Sequence, residues 1–208
     1  MYAIYPFLKC GSLYVNSSDN SFYLGTSENK PMRLVTEFDV DAGMPPYRDI
    51  TQLGNIINWV DHEWIVVHVT THQSVLALNG IEGTCKGGEQ KLVTMAKAFE
   101  EENFTTKQLL RMMKVYVSDA FDPDFNMVYV MNDDQLGRGY NGGYDWFTNN
   151  SRRAVGSDYW TSGYNGQGGM YTVTASGSFS EELESWIDTV TAGFRPTVCI
   201  DLTQYTVS

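Results

Sequence analysis

The spacing of apolar and polar residues changes character along the chain. Up to residue 43 the apolar positions fall in short β-prone runs, Tyr2-Ala3-Ile4-Tyr5, Ser12-Leu13-Tyr14-Val15 and Ser21-Phe22-Tyr23-Leu24. Cys10-Gly11 and the turn-forming cluster Asn16-Ser17-Ser18-Asp19-Asn20 separate them, which predicts a small β-meander. Met32 to Val40 alternates weakly and extends it by one strand. Met44-Pro45-Pro46-Tyr47 then predicts a stiff, extended connector, because consecutive prolines favour extended backbone. The boundary falls there, giving a β-rich arm over 1–43 and a larger domain over 44–208.

In the larger domain, Asn55 to Val60 and Glu63 to Val69 are apolar runs joined at Asp61-His62, a pattern that predicts a hairpin. Ser74 to Leu78 extends that sheet. From Glu89 the period lengthens: Leu92, Met95, Ala96 and Phe99 recur at three- and four-residue spacing, ahead of Glu100, Glu101 and Glu102, and predict an amphipathic helix. A second helix opens at Thr105, which can cap it while Gln108 reaches back, with Leu109, Leu110 and Met113 following. Lys114 to Ser118 and Asn126 to Met131 predict strands around an Asp122-Pro123-Asp124 turn. Met170 to Thr174, a Ser176-Gly177 turn and Thr197 to Leu202 complete an antiparallel sheet, and residues 181–190 predict a short helix through Leu183, Trp186, Ile187 and Val190.

Composition narrows the function classes. The 208 residues are 42% hydrophobic and 13% aromatic, enough for a sizeable core in one domain plus an appendage. Fourteen Lys and Arg stand against 25 acids, a formal charge of −11, which argues against a nucleic-acid partner that would need clustered cations. No run of about 18 apolar residues predicts membrane insertion, and the N-terminus lacks the basic-then-apolar layout of a signal peptide. Cys10, Cys85 and Cys199 have no paired spacing and read as free thiols made in a reducing cytoplasm.

Catalytic and metal chemistry find little support. Asp122, Asp124, Asn126 and Asp133 have the acidic flavour of a calcium loop, but Met127 stands where the sharp turn needs glycine. His62, His68 and His72 lie on predicted strand and turn, where four-residue spacing does not converge on a metal. No H-E-x-x-H, G-x-S-x-G or phosphate-binding glycine loop occurs. The expectation is a non-enzymatic protein without metal or cofactor.

The C-terminal third carries an order of landmarks: Ser151-Arg152-Arg153-Ala154, Tyr159-Trp160-Thr161-Ser162-Gly163, the alternating run from Met170 to Ala175, and Gly193-Phe194-Arg195-Pro196-Thr197-Val198-Cys199-Ile200. Upstream stands Glu63-Trp64-Ile65-Val66-Val67-His68. Together, over residues 53–202, they resemble the C-type-lectin-like domain of bacteriophage structural proteins and gut bacterial surface proteins, related at a distance to the formylglycine-generating-enzyme fold. The resemblance implies an α+β fold, a C-type-lectin-like domain with an antiparallel sheet and two helices, preceded by the β-rich arm. It also implies a polar, glycine-rich stretch at Gly137 to Gly143 followed by a short helix at Tyr144 to Asn149. The sugar-binding calcium motifs of true C-type lectins are absent, so calcium-dependent sugar binding does not follow. The cysteine pattern likewise departs from that of the enzyme relative.

The resemblance implies a virion component of a tailed bacteriophage, made in the host bacterial cytoplasm. The arm would dock onto other capsid or tail proteins, and the displayed domain, as a homo-oligomer, would adhere to a host-surface glycan or protein. The alternative is a structural head decoration, neck or tail connector protein that binds no ligand. Rigid rings give contact area at low entropy cost and amides pair with hydroxyls, so the candidate ligand-binding residues are Tyr140, Tyr144, Trp146, Asp158, Tyr159, Tyr164, Asn165 and Tyr171, within a wider patch that includes Asn141, Asp145, Asn149, Asn150 and Gln167. The same residue types also suit glycine-rich loops that need only turns and packing. Trp64, Trp160, Arg153 and Arg195 are the expected structural residues, the indoles in the core and the guanidinium forks tying loop carbonyls to it.

Overall fold

Val60 and Asp61 take φ of +48° and +62°, a two-residue turn whose twist matches the strands it joins. It connects β4 (Ile56–Trp59) to β5 (His62–Val69), with Trp59 opposite His62 and Ile56 opposite Ile65. The predicted hairpin is present with its turn one residue earlier, since His62 already belongs to the strand. The computed structural model describes residues 13–16, 21–24, 32–34, 43–117, 127–138, 143–164 and 168–205, with side chains from residue 43 onward except those of Tyr164 and Trp186.

Nearest the N-terminus, β1 (Leu13–Asn16), β2 (Ser21–Leu24) and β3 (Met32–Leu34) form a three-stranded antiparallel meander. The expected run at Tyr2 to Tyr5 and the continuation from Val35 to Val40 lie outside the described residues. Pro46 is extended, as the double proline predicts, but its carbonyl then accepts from the N–H groups of Asp49 and Ile50 and starts a single helical turn, α1 (Tyr47–Ile50).

Two five-stranded sheets follow, and the described structure is mixed α and β with few helices, compatible with an α+β fold. In the first sheet β5 lies between β4 and β6 (Gln73–Leu78), and β13 (Thr197–Asp201) joins β6 to the two-residue β8 (Val128–Tyr129). The second runs β11 (Phe179–Glu182), β10 (Met170–Val173), β9 (Tyr159–Tyr164), β12 (Thr191–Gly193) and β7 (Thr84–Lys86). The single antiparallel sheet expected from sequence is therefore two sheets. Their pairings are antiparallel except that β12 runs parallel to β9 at Gly193 and Tyr159.

Helix α2 (Glu89–Asn103) buries Leu92, Ala96 and Phe99 as its period predicts. Phe99 and Phe104 meet Trp59 and Trp64 in an aromatic cluster with ring centroids 5.1–6.2 Å apart. Helix α3 (Thr106–Leu109) carries the predicted capping box: the Thr105 hydroxyl accepts from Gln108 N–H at 3.3 Å, and Thr105 N–H donates to Gln108 Oε1 at 2.8 Å. Residues 114–117 lack the predicted ladder, and the chain just before them meets β13 at a bridge between Met112 and Ile200. The helix expected at Tyr144 to Asn149 is a turn. The helical segment is α4 (Asn150–Arg153), because the Asn149 side chain accepts from Arg152 N–H and so caps a helix starting after it. The helix expected within 181–190 shortens to one 3-10 turn, Glu184–Trp186, since β11 takes the preceding residues.

Trp64 and Trp160 are fully buried, one in each sheet, and donate to Trp59 O at 2.9 Å and Cys85 O at 3.1 Å. Arg195 is buried and joins the sheets: its Nε donates to Leu78 O at 2.9 Å, and its Nη1 to Arg153 O and the Tyr159 hydroxyl at 3.3 and 3.0 Å. Buried Arg153 donates to the carbonyls of Gly177, Leu136 and Phe147 and to Asn150 Oδ1. Neither guanidinium has a carboxylate partner among the described residues. Carbonyls and ring faces hold both charges, which is the use of arginine's fork that the sequence suggested.

Candidate functional site

The register of β5 against β6 slips by one residue between Val66 and His68. This bulge leaves Val67 without a cross-strand partner, and its carbonyl instead accepts from Trp146 N–H at 3.0 Å. Loop 143–147 thus docks onto β5 where the bulge interrupts its ladder. The Trp146 indole seats over Gly54, which has φ of +80°. A Cβ there would collide with ring atom Cζ3 and stand 2.7 Å from Cη2. The Arg152 guanidinium lies over the indole, 4.3 Å from its centroid.

The bulge also aims His68 at the loop. Its Nδ1 stands 3.0 Å from Asp145 Oδ2, and its ring stacks on Tyr144 at 5.0 Å and 20°. The Asp145 side chain is 60% exposed and that of His68 22%, so the pair sits at the solvent boundary. The Tyr144 hydroxyl reaches inward, 3.1 Å from the Tyr129 hydroxyl and 2.9 Å from Gln135 Nε2. Burial pushes Tyr144 up to about 12 and Tyr129 well above the ordinary tyrosine range, so both phenols stay protonated and bridge the loop to β8.

Loop 132–138 runs beside it. Asn132 and Gln135 exchange reciprocal backbone-to-side-chain hydrogen bonds of 3.0 and 2.8 Å, and Gln135 O accepts from Tyr144 N–H at 2.8 Å. The far flank belongs to Arg138, which bonds Asp133 at 3.1 Å and covers the Tyr171 ring at 3.6 Å. Gly163 of β9 packs against Asp133, where a side chain would not fit. Loops 132–138 and 143–147 therefore form one surface, pinned to the first sheet by His68 and Trp146 and to the second by Arg138.

Of the residues expected to bind ligand, the structure brings together Tyr144 and Trp146, both half-buried. Tyr140 and Asn165, with Asn141 and Gln167, lie outside the described residues, and Tyr164 is placed only by its backbone pairing with Met170. Asp158 is exposed, but its carboxylate accepts from Ala175 N–H at 2.6 Å and ties down the 174–178 turn. Tyr159 and Tyr171 are corrections: at 1% and 6% exposure they belong to the core. The reason is topological, for β9 and β10 lie inside the second sheet with both faces covered, so alternation along them marks no solvent face. Burial pushes the Tyr159 hydroxyl up against the pull of Arg195, and it donates to Arg153 O at 3.1 Å.

Sequence reasoning missed Gly54, His68, Arg138 and Arg152 as parts of this surface. A one-residue bulge has no periodicity of its own, and His68 reads as an ordinary strand residue without it. Asp145 was visible as one polar member of the wider patch. Among the described residues no group of three His, Cys, Asp or Glu is close enough to hold a metal, and no helix is long and apolar enough to cross a membrane. The arrangement offers hydrogen bonds and aromatic contact from a pinned surface. Comparison with protein-family models, curated proteins and solved structures finds no match.

Proposed function

We propose that the chain is a non-enzymatic structural protein of a tailed bacteriophage particle. Its arm docks onto another virion protein, and its lectin-like larger domain is displayed to contact the host surface. The observation that carries the adhesion reading is the pinned pair of loops, 132–138 and 143–147. Asp145 stands exposed there while His68, Tyr144 and Trp146 fix its backbone, so a partner meets a preorganised surface at low entropic cost. The landmark order supports the lectin-like setting, with Glu63 to His68 in β5, Tyr159 to Gly163 in β9 and Arg195 between the sheets.

The test is binding of the full chain, fluorescent and multimerised on beads, to intact candidate host bacteria, beside an Asp145→Ala variant of unchanged melting temperature. Saturable binding that the variant loses supports adhesion through these loops. Binding by neither protein sinks the adhesion reading.

A second reading, a decoration or connector protein without ligand, draws on a specific observation. Two of the expected contact rings are buried, and Tyr144 and Trp146 each have a ring face covered by His68 or Arg152. Stacking of a sugar needs an open ring face. On this reading deletion of residues 1–43 abolishes particle incorporation while host binding is never seen, and unchanged incorporation excludes the docking arm.

A further inference from the structure

The two large sheets have four outer strands, and three of them are protected. At β8 the Glu100 carboxylate accepts from the N–H groups of Met127 and Val128 at 2.6 and 3.0 Å. Strand β11 carries Glu181 and Glu182, and β7 has three residues ending in Lys86. Charge, brevity and capping are the usual defences of a sheet edge. Strand β4 is as short as β11 but carries neither charge nor cap: residues 55–59 read Asn-Ile-Ile-Asn-Trp, without charge or proline.

The hairpin register shows which groups this edge presents. Trp59 and His62 flank a two-residue turn and form a hydrogen-bonded pair, and Asn55 O accepts from Val66 N–H at 3.0 Å. Asn55, Ile57 and Trp59 therefore face β5 with their backbone groups, and Ile56 and Asn58 direct N–H and C=O outward. Both are exposed, and Ile56 at 51% is joined by Leu53 at 44%. No hydrogen bond from the described residues satisfies these outward groups.

We propose that β4 is a self-association edge, where two copies of this chain join antiparallel across a two-fold axis at Ile57. Ile56 of one copy then pairs with Asn58 of the second, and four backbone hydrogen bonds form from groups already spaced for them. The pattern is self-complementary, as a two-fold contact requires. Charge selects the place. A chain of net charge −11 resists its own copies, yet this strand is neutral. The carboxylate directly across the strand pair is Glu63, opposite Asn58 on β5. Two Glu63 side chains would stand three strand spacings apart, about 14 Å, beyond the screening length of about 8 Å at physiological salt. Four residues of edge bury less than the roughly 1,000 Å² of a stable interface. The contact is therefore weak in solution and strengthened where copies are held close together. It does not depend on the adhesion reading.

Sedimentation velocity of the full chain over rising concentration tests it, with Ile56→Lys and Asn58→Pro as edge variants and Leu110→Lys as an exposed control elsewhere. Wild type and Leu110→Lys should shift from monomer to dimer mass toward millimolar concentration. Both edge variants should remain monomeric at an unchanged melting temperature. Amide exchange at Ile56 and Asn58 should slow as wild-type concentration rises, a readout that needs no variant to fold. A wild type that stays monomeric throughout, or a dimer that persists in Ile56→Lys, overturns the proposal.

Discussion

Replacing Gly54 by alanine tests how the loop surface is built, because Gly54 makes its contact through the absence of a side chain. Its φ of +80° costs a non-glycine residue about 1–2 kcal/mol by itself. The added Cβ also stands 2.7 and 3.0 Å from Cη2 and Cε3 of Trp146 and closer still to Cζ3, so the indole must leave its seat. Leaving forfeits the Arg152 contact, about 0.5–1 kcal/mol, and roughly 1–2 kcal/mol of partial ring burial. Gly54→Ala should therefore destabilise by about 3–4 kcal/mol in urea unfolding. The same substitution in a Trp146→Ala background meets no ring and should cost only the backbone share, about 1–2 kcal/mol. The double-mutant cycle then shows a coupling of about 2 kcal/mol, well above the few tenths expected of independent sites. Additive costs would refute the claim that Gly54 holds the loop through Trp146.

Other perturbations reach the frame around the site. Arg195→Lys should lower unfolding stability by roughly 2–4 kcal/mol, because an ammonium cannot serve Leu78 O, Arg153 O and the Tyr159 hydroxyl together; a loss under about 1 kcal/mol contradicts the account. Glu100→Gln should cost about 1–2 kcal/mol and speed amide exchange at Met127 and Val128, since a neutral acceptor replaces the carboxylate on both N–H groups. Alkali should destabilise the fold. Burial raises Tyr144 from 10.0 to about 12 and Cys199 from 9.0 to about 12, so the unfolded chain releases these protons first. Stability is complete below about pH 9 and drains away toward pH 12, and Tyr144→Phe should flatten the upper part of that decline.

Where local chemistry and tertiary demand agree, the elements are legible from residues alone. The period of Leu92, Ala96 and Phe99 marks the buried face of α2, and Thr105 with Gln108 marks the start of α3 to the residue. The β4–β5 hairpin and β13 announce themselves by apolar runs. Strands β7 and β12 do not, because three residues carry no period and their pairing spans about a hundred residues of chain. Tyr159 and Tyr171 misled for a related reason: in a strand enclosed on both faces, side chains are inward on either parity, and the Tyr159 and Thr161 hydroxyls find carbonyls instead of solvent. The loop surface was half legible. Tyr144, Asp145 and Trp146 stand out as a polar aromatic cluster, whereas their anchors at Gly54, His68 and Arg152 depend on a bulge and a close approach that only the folded chain creates.

The placement of the arginines bears on what could meet this surface. Arg153 and Arg195 are buried, Arg152 covers Trp146 while donating toward Thr148, and Arg138 is shared between Asp133 and Tyr171. The cations nearest the loops are thus committed to holding them in place, in a chain that carries eleven more negative than positive charges. An acidic polysaccharide would have to draw a guanidinium off a ring and would lose the loop geometry it came to use. A neutral or basic host group meets no such conflict, and exposed Asp145 offers it a carboxylate already oriented by His68. On the proposed adhesion reading, binding through these loops should not be inhibited by soluble acidic polysaccharide, and it should weaken with added salt where the host group is basic.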